Sequence, residues 1–305
     1  MRIGSGSHVY EWVEGWARVP DNIQLGYTHG VVEDSQGRIY VHNASPHSMV
    51  IFDPDGSFIA SWGEAYAQGA HGVHLNREAD GEYLYLSLTN QAMVVKTDLN
   101  GNEIWRITTP DLPDIYGDGR KFSPTETTVA PNGDVYVADG YGQPWVHVYS
   151  PTAEYRFSFG GPGSEPGQLN NPHGIMLDTR SDEPLILVAD RGNHRLQHFT
   201  LDGKPVRITE GMLRLPCTTV QYQDEIYIPD LHSRMTILDK NNRLIAHIGE
   251  RENGWQIEGW PNITHELRQV GNFTSPHDLH VDSSGNVYMV EWISDGRITK
   301  LARVN

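Results

Sequence analysis

Residues 171–199 read NPHGIMLDTRSDEPLILVADRGNHRLQHF. GIMLD, PLILVAD and RLQHF are short segments of strand length. Thr179-Arg180-Ser181 and residues 190–194 break them with turn formers, and no helical period runs through the stretch. A fourth segment, PVRI, follows Asp202-Gly203. The arrangement recurs along the whole chain: HGVVEDSQGRIYVHN from His29, HGVHLNREADGEYLYLSL from His71, ETTVAPNGDVYVAD from Glu126, CTTVQYQDEIYIPD from Cys217 and HDLHVDSSGNVYMVE from His277. Successive copies start 42 to 60 residues apart, close to the ~40–50 residues of a four-stranded propeller blade with extra length in two connections. A unit of this size cannot bury both of its faces alone, so the copies must stack radially. The reading is all-β: a six-bladed β-propeller forming a single domain over residues 1–305. The last copy has three strands, and residues 8–19 (HVYEWVEGWARV) are expected to supply its outer strand and leave no open edge.

The totals narrow the function classes. A formal net charge of −16 disfavours nucleic acid, which requires a basic surface. No apolar run approaches the ~20 residues of a membrane-spanning helix. Residues 1–9 lack the charged start and apolar core of a secretory signal, which favours the cytoplasm while leaving the compartment open. A single cysteine, Cys217, excludes an intrachain disulfide. The expected partner is a small molecule, with neither nucleic acid nor membrane, on a monomer or small homo-oligomer. The 15 histidines stand out, and their placement matters more than their number.

In an antiparallel blade the start of the first strand lies beside the end of the second. The first residues of the six copies should therefore ring one mouth of the channel: His29, His71, Glu126, His173, Cys217 and His277. Asn43, Tyr141, Arg191 and Trp292 end second strands on the same face. Loops 108–124 and 249–276 bring Tyr116, Trp255 and Trp260 as apolar walls of a pocket rim. His71, His173 and His277 come from alternate blades, about 120° apart in a six-fold ring, and three imidazoles with an open position are the donor set of a catalytic zinc centre. His29, Glu126 and Cys217 are left as further ligands, hydrogen-bond acceptors or packing residues. Asp139, Asp190 and Asp230 read as turn formers that accept backbone N–H groups.

NPHGIMLD…LILVADRGNHRLQHF, preceded by FGGPGSEPGQL, resembles the NHL repeat, and the likeness extends over essentially the whole chain. More narrowly, AHGV, SPTE with VADGY, NPHG with VADRG, and SPHD resemble the ordered motifs of the peptidyl-α-hydroxyglycine α-amidating lyases, zinc enzymes on a six-bladed NHL propeller. That resemblance implies zinc on His71, His173 and His277. It also implies a catalytic base at Tyr141, an active-site arginine at Arg191, and a structural calcium bound by Asp278 and the carbonyl of Val73. In those lyases the zinc polarises a substrate hydroxyl while the tyrosine takes its proton. Two departures bear on the substrate: the lyases' His-Arg dipeptide of blade one is here His42-Asn43, and Pro-Thr-Asp has become Pro124-Thr125-Glu126. The expected function is a zinc-dependent lyase, or failing that a hydrolase, of a small polar hydroxylated substrate held by Asn43, His29, Glu126, Trp255 and Trp260. A non-catalytic NHL propeller presenting a binding face is the alternative. A calcium-dependent lactonase-like propeller would want a channel rich in carboxylates, whereas imidazoles favour a first-row metal.

Overall fold

The computed structural model describes residues 1–304. Six antiparallel sheets account for nearly all of its regular structure: five have four strands and one has five. They are the blades of a six-bladed β-propeller, as the repeat predicts. Blade four shows how the motif folds. Pro172–Asp178 pairs with Leu185–Asp190, that strand pairs with Arg195–Phe199, and Pro205–Thr209 lies outermost. The second strand is buried on both faces, which explains its near-continuous apolar composition; the third is buried too, with Arg195, Gln197 and His198 hydrogen-bonded, whereas the outer strand is mostly exposed.

The chain divides into two compact units, residues 1–64 with 212–305 and residues 65–211. The first holds blades one, five and six. In blade six, His8–Val13 pairs with Arg297–Arg303 and supplies the outer strand that the sequence leaves missing. The structure adds a fifth strand outside it, Arg2–Ser5, which the repeat did not announce. Tyr10 and Trp12 from the N-terminal strand enter a core with Tyr227, Phe273, Leu279 and Leu301. The second unit holds blades two, three and four. Tyr136, Val146, Val148, Phe159, Ile186, Val188 and Phe199 pack blade three against blade four.

The acidic residues that close second strands fasten the following turns. Asp139 accepts the N–H groups of Ser123 and Gln143 at 2.6 Å. Asp190 accepts that of Asn170 at 2.7 Å, and Asp230 those of Arg214 and Leu215. Each carboxylate ties the entry of a blade to its own second strand, so the residues at the entry are held in register. Among the described residues no helix is long and apolar enough to cross a membrane.

Candidate active site

In the 65–211 unit, four of the expected residues meet. His71 and His173 begin the inner strands Ala70–Glu78 and Pro172–Asp178, and their ring centroids lie 4.7 Å apart. His71 Nδ1 donates to the carbonyl of Thr125 at 2.7 Å. A carbonyl only accepts, so Nδ1 carries the proton and Nε2 carries the lone pair. Gly72 makes this approach possible: a Cβ there would lie 2.4 Å from both the Thr125 carbonyl oxygen and Glu126 Oε2.

Tyr141 lies on the loop after the second strand of blade three and is 45% exposed, so its hydroxyl can be reached from solvent. Its Oη is 3.0 Å from His173 Nε2 and accepts a hydrogen bond from Arg191 Nη2 at 3.1 Å. The direction of the Tyr141–His173 hydrogen bond is set by which ring nitrogen of His173 carries the proton. The Arg191 guanidinium also lies 5.3 Å from the centroid of the tyrosine ring, within reach of a cation–π attraction. The Tyr141 loop is held from beneath. Asp139 grips it through the Gln143 N–H, Tyr141 N–H donates to Ser123 O at 3.2 Å, and a Cβ on Gly140 would lie 2.4 Å from Pro172 O. Tyr116, from loop 108–124, donates to Asp139 at 2.6 Å and lies 2.6 Å from His147 Nε2. Burial pushes the Asp139 carboxyl up to about 6 against these hydrogen bonds, and burial pushes His147 down to about 4.

In the other unit, His277 begins the inner strand Pro276–Val281 and donates from Nδ1 to the carbonyl of His29 at 2.8 Å. This is the same device as at His71, and it again leaves Nε2 as the lone-pair nitrogen. The rings of His29 and His277 are 4.9 Å apart, and their ligand atoms lie within 4.8 Å of one another, as do Cys217 Sγ and a His277 nitrogen. Burial, then the imidazoles of His277 and His42, hold His29 well below the usual histidine range. It is therefore neutral at pH 7 and suited to a metal. Asp278 is buried, with Oδ2 accepting from Val31 N at 2.9 Å and Oδ1 from Leu279 N at 2.8 Å. Burial pushes its carboxyl up to about 8 despite those bonds. Val73 is buried in its inner strand within the other unit.

Two residues sit differently from the sequence expectation. Asn43 is fully buried, its Oδ1 accepting from Gly26 N at 3.0 Å and its Nδ2 donating to His47 O at 2.7 Å. It braces the turns of blade one. Glu126 pairs with Ala138, as Gly174 pairs with Ala189 and Asp278 with Val290. In register it therefore matches Asp278, and Thr125 occupies the histidine position. The repeat alignment is one residue out in blade three because Pro124 marks the entry and the acidic residue does not. Cys217 takes the histidine position of blade five, its N–H bonded to Pro229 O at 3.0 Å as Thr125 N–H is bonded to Ala138 O at 2.9 Å. It is fully buried.

Trp255 and Trp260 join a line of half-buried rings. His232 stacks on Trp255 at 4.9 Å and meets Trp260 at 5.8 Å, and Trp260 meets Trp292 at 6.2 Å. Trp292 meets Tyr27 at 5.4 Å, and Tyr27 is 6.5 Å from His29. Tyr27 and His232 were not singled out in the sequence, since lone aromatic and histidine residues at loop starts carry no pattern.

No family model matches the chain. It is 25% identical over 204 residues to human (Homo sapiens) NHL repeat-containing protein 3, covering 64% of this chain and 57% of that protein. It is 29% identical over 166 residues to rat (Rattus norvegicus) peptidylglycine α-amidating monooxygenase, covering 52% of this chain and 16% of that protein. The chain thus spans little over half the length of the first relative and a small part of the second. Among solved structures, a catalytically inactive virginiamycin B lyase from Staphylococcus aureus with quinupristin superposes with a TM-score of 0.62 at 12% identity, covering 97% of this chain and 100% of that one. That likeness is one of fold. With its repeats, its six blades and these relatives, the chain is a six-bladed β-propeller that resembles the NHL-repeat proteins and the peptidylglycine α-amidating monooxygenases.

Proposed function

We propose that the protein is a zinc-dependent lyase that cleaves the C–N bond of a small carbinolamide-type substrate. The observation that carries this reading is the contact chain His71–His173–Tyr141–Arg191, in which two imidazoles, a reachable phenol and a guanidinium converge within one unit. Within this unit His71 and His173 would hold the ion, and their chemistry fits. Nδ1 of His71 is committed to a backbone carbonyl, the outer hydrogen bond that metal-bound histidines characteristically make. Bound zinc would supply Lewis acidity toward the substrate hydroxyl.

Tyr141 takes the hydroxyl proton. The C–O bond becomes C=O as the C–N bond breaks, and the departing amide nitrogen regains a proton. The Arg191 guanidinium favours the tyrosinate and offers a charge-assisted donor to a carbonyl or carboxylate of the substrate. Asn43 puts no cation where the lyases have an arginine, so the preferred substrate is less acidic than a peptidyl-α-hydroxyglycine. A structural calcium on Asp278 and a small-molecule partner complete the proposal.

The test is elemental analysis of purified protein, followed by benzamide release from α-hydroxyhippurate and from its primary amide. About one zinc per chain and faster cleavage of the amide support the proposal. Metal-free protein after reconstitution with Zn²⁺, Co²⁺ and Mn²⁺, with no benzamide from either compound, overturns it.

A further inference from the structure

Asn171 immediately precedes Pro172 at the entry of blade four and adopts a left-handed backbone, φ +57°. Asparagine tolerates this region better than most residues. Both ends of its amide are used. Oδ1 accepts from Arg191 Nε at 2.8 Å, and Nδ2 donates to the carbonyl of Gly140 at 2.7 Å. Its own carbonyl accepts from Arg191 N at 3.2 Å. One side chain therefore clasps the turn that carries Arg191 and the residue directly before Tyr141.

The equivalent positions show what this adds. Blades three and six have serine before the proline, and each hydroxyl makes a single bond, Ser123 to Thr89 O at 3.1 Å and Ser275 to Trp292 O at 2.8 Å. Blade five has Leu215. A serine thus suffices to hold a blade entry. Only a two-ended, planar side chain can hold the entry and also fix a guanidinium in plane through its Nε. With Nε fixed by Asn171, Nη2 is aimed at Tyr141 Oη, since the guanidinium is rigid and its donors have a fixed fork geometry.

We infer that Asn171 is a positioning residue that sets the Arg191 guanidinium against the Tyr141 hydroxyl. This rests on the reading of Tyr141 and Arg191 as the reacting pair, but its geometric part is tested separately. Zinc-loaded wild type, N171S and N171D are compared by the Nε–Hε resonance of Arg191, assigned by its loss in R191K, and by benzamide release from α-hydroxyhippuramide. In N171S, which copies the other blades, the Arg191 Hε exchanges roughly tenfold faster, as for loss of one hydrogen bond to a charged group. N171D tolerates the same backbone and keeps the acceptor, so it restores the protection. In activity, N171S loses about tenfold or more in kcat, and N171D recovers part of that loss, with metal content unchanged in both and the melting of N171S lowered by no more than a few degrees, since serine is strained at φ +57°. Unchanged Arg191 exchange in N171S, or equal exchange in N171S and N171D, overturns the inference. If wild type releases no benzamide, the lyase reading falls, and the exchange measurement alone decides for or against Asn171.

Discussion

Trp12 offers a quantitative test of how the last blade is completed. It lies on the N-terminal strand His8–Val13 opposite Leu301 and is 5% exposed. Its ring is 5.1 Å from that of Phe273, with the Arg297 guanidinium 5.1 Å from its centroid. Removing a buried tryptophan side chain costs about 3–5 kcal/mol, because the transfer energy is lost and the surroundings do not fully collapse into the cavity. At about 2–4 °C per kcal/mol for a large domain, W12A should melt about 6–20 °C below wild type. Deleting residues 1–19 goes further. It also removes Tyr10 and Trp16, both buried, and leaves the Arg297–Arg303 strand unpaired at an edge. Three such losses approach the ~5–15 kcal/mol that holds a whole domain together, so the truncated chain should not reach a native fold. Differential scanning calorimetry and circular dichroism read the first variant, and size-exclusion chromatography of the soluble fraction reads the second. A truncated chain that is monomeric and melts within a few degrees of wild type would refute the account of closure.

Other outcomes follow from the site. H173A should lose the bound metal by elemental analysis while keeping the wild-type β-sheet circular dichroism, since the blade cores do not involve this ring. Y141F should keep the metal but lose about 100-fold or more in turnover, the usual contribution of a positioned base. Asp178 contributes an acid-sensitive increment of stability. Burial opposes its ionisation, yet hydrogen bonds from Arg180 and His198 hold its carboxyl well below the usual range. A depressed folded-state pKa adds stability above the unfolded value of about 3.9, and this is lost as pH falls through the folded value. The wild-type melting temperature should therefore fall more steeply below about pH 4 than that of D178N, and parallel curves would contradict the assignment.

Much of this is legible in the sequence, and the exceptions share a cause. The blade count and the outer strand from the N-terminus came from strand period, turn residues and a missing fourth segment, all local signals repeated six times. The histidines at 71, 173 and 277 stood out because a repeat turns sequence position into position on a ring. Asn43 and Glu126 escaped that logic. Whether a side chain at a strand end faces the channel or turns back to bond its neighbours depends on hydrogen bonds that the repeat does not encode. Asn43 is consumed by Gly26 and His47, and the register of Glu126 is set by the bond from Thr125 N–H to Ala138 O. Asn171 was passed over for the opposite reason. In the sequence it is one more residue before a proline, and its distinction from Ser123 and Ser275 exists only once Arg191 and Gly140 are seen at either end of its amide. A repeat therefore identifies the positions that are alike, and the residues that make one blade differ chemically from the next are found in the side-chain bonds that cross between loops.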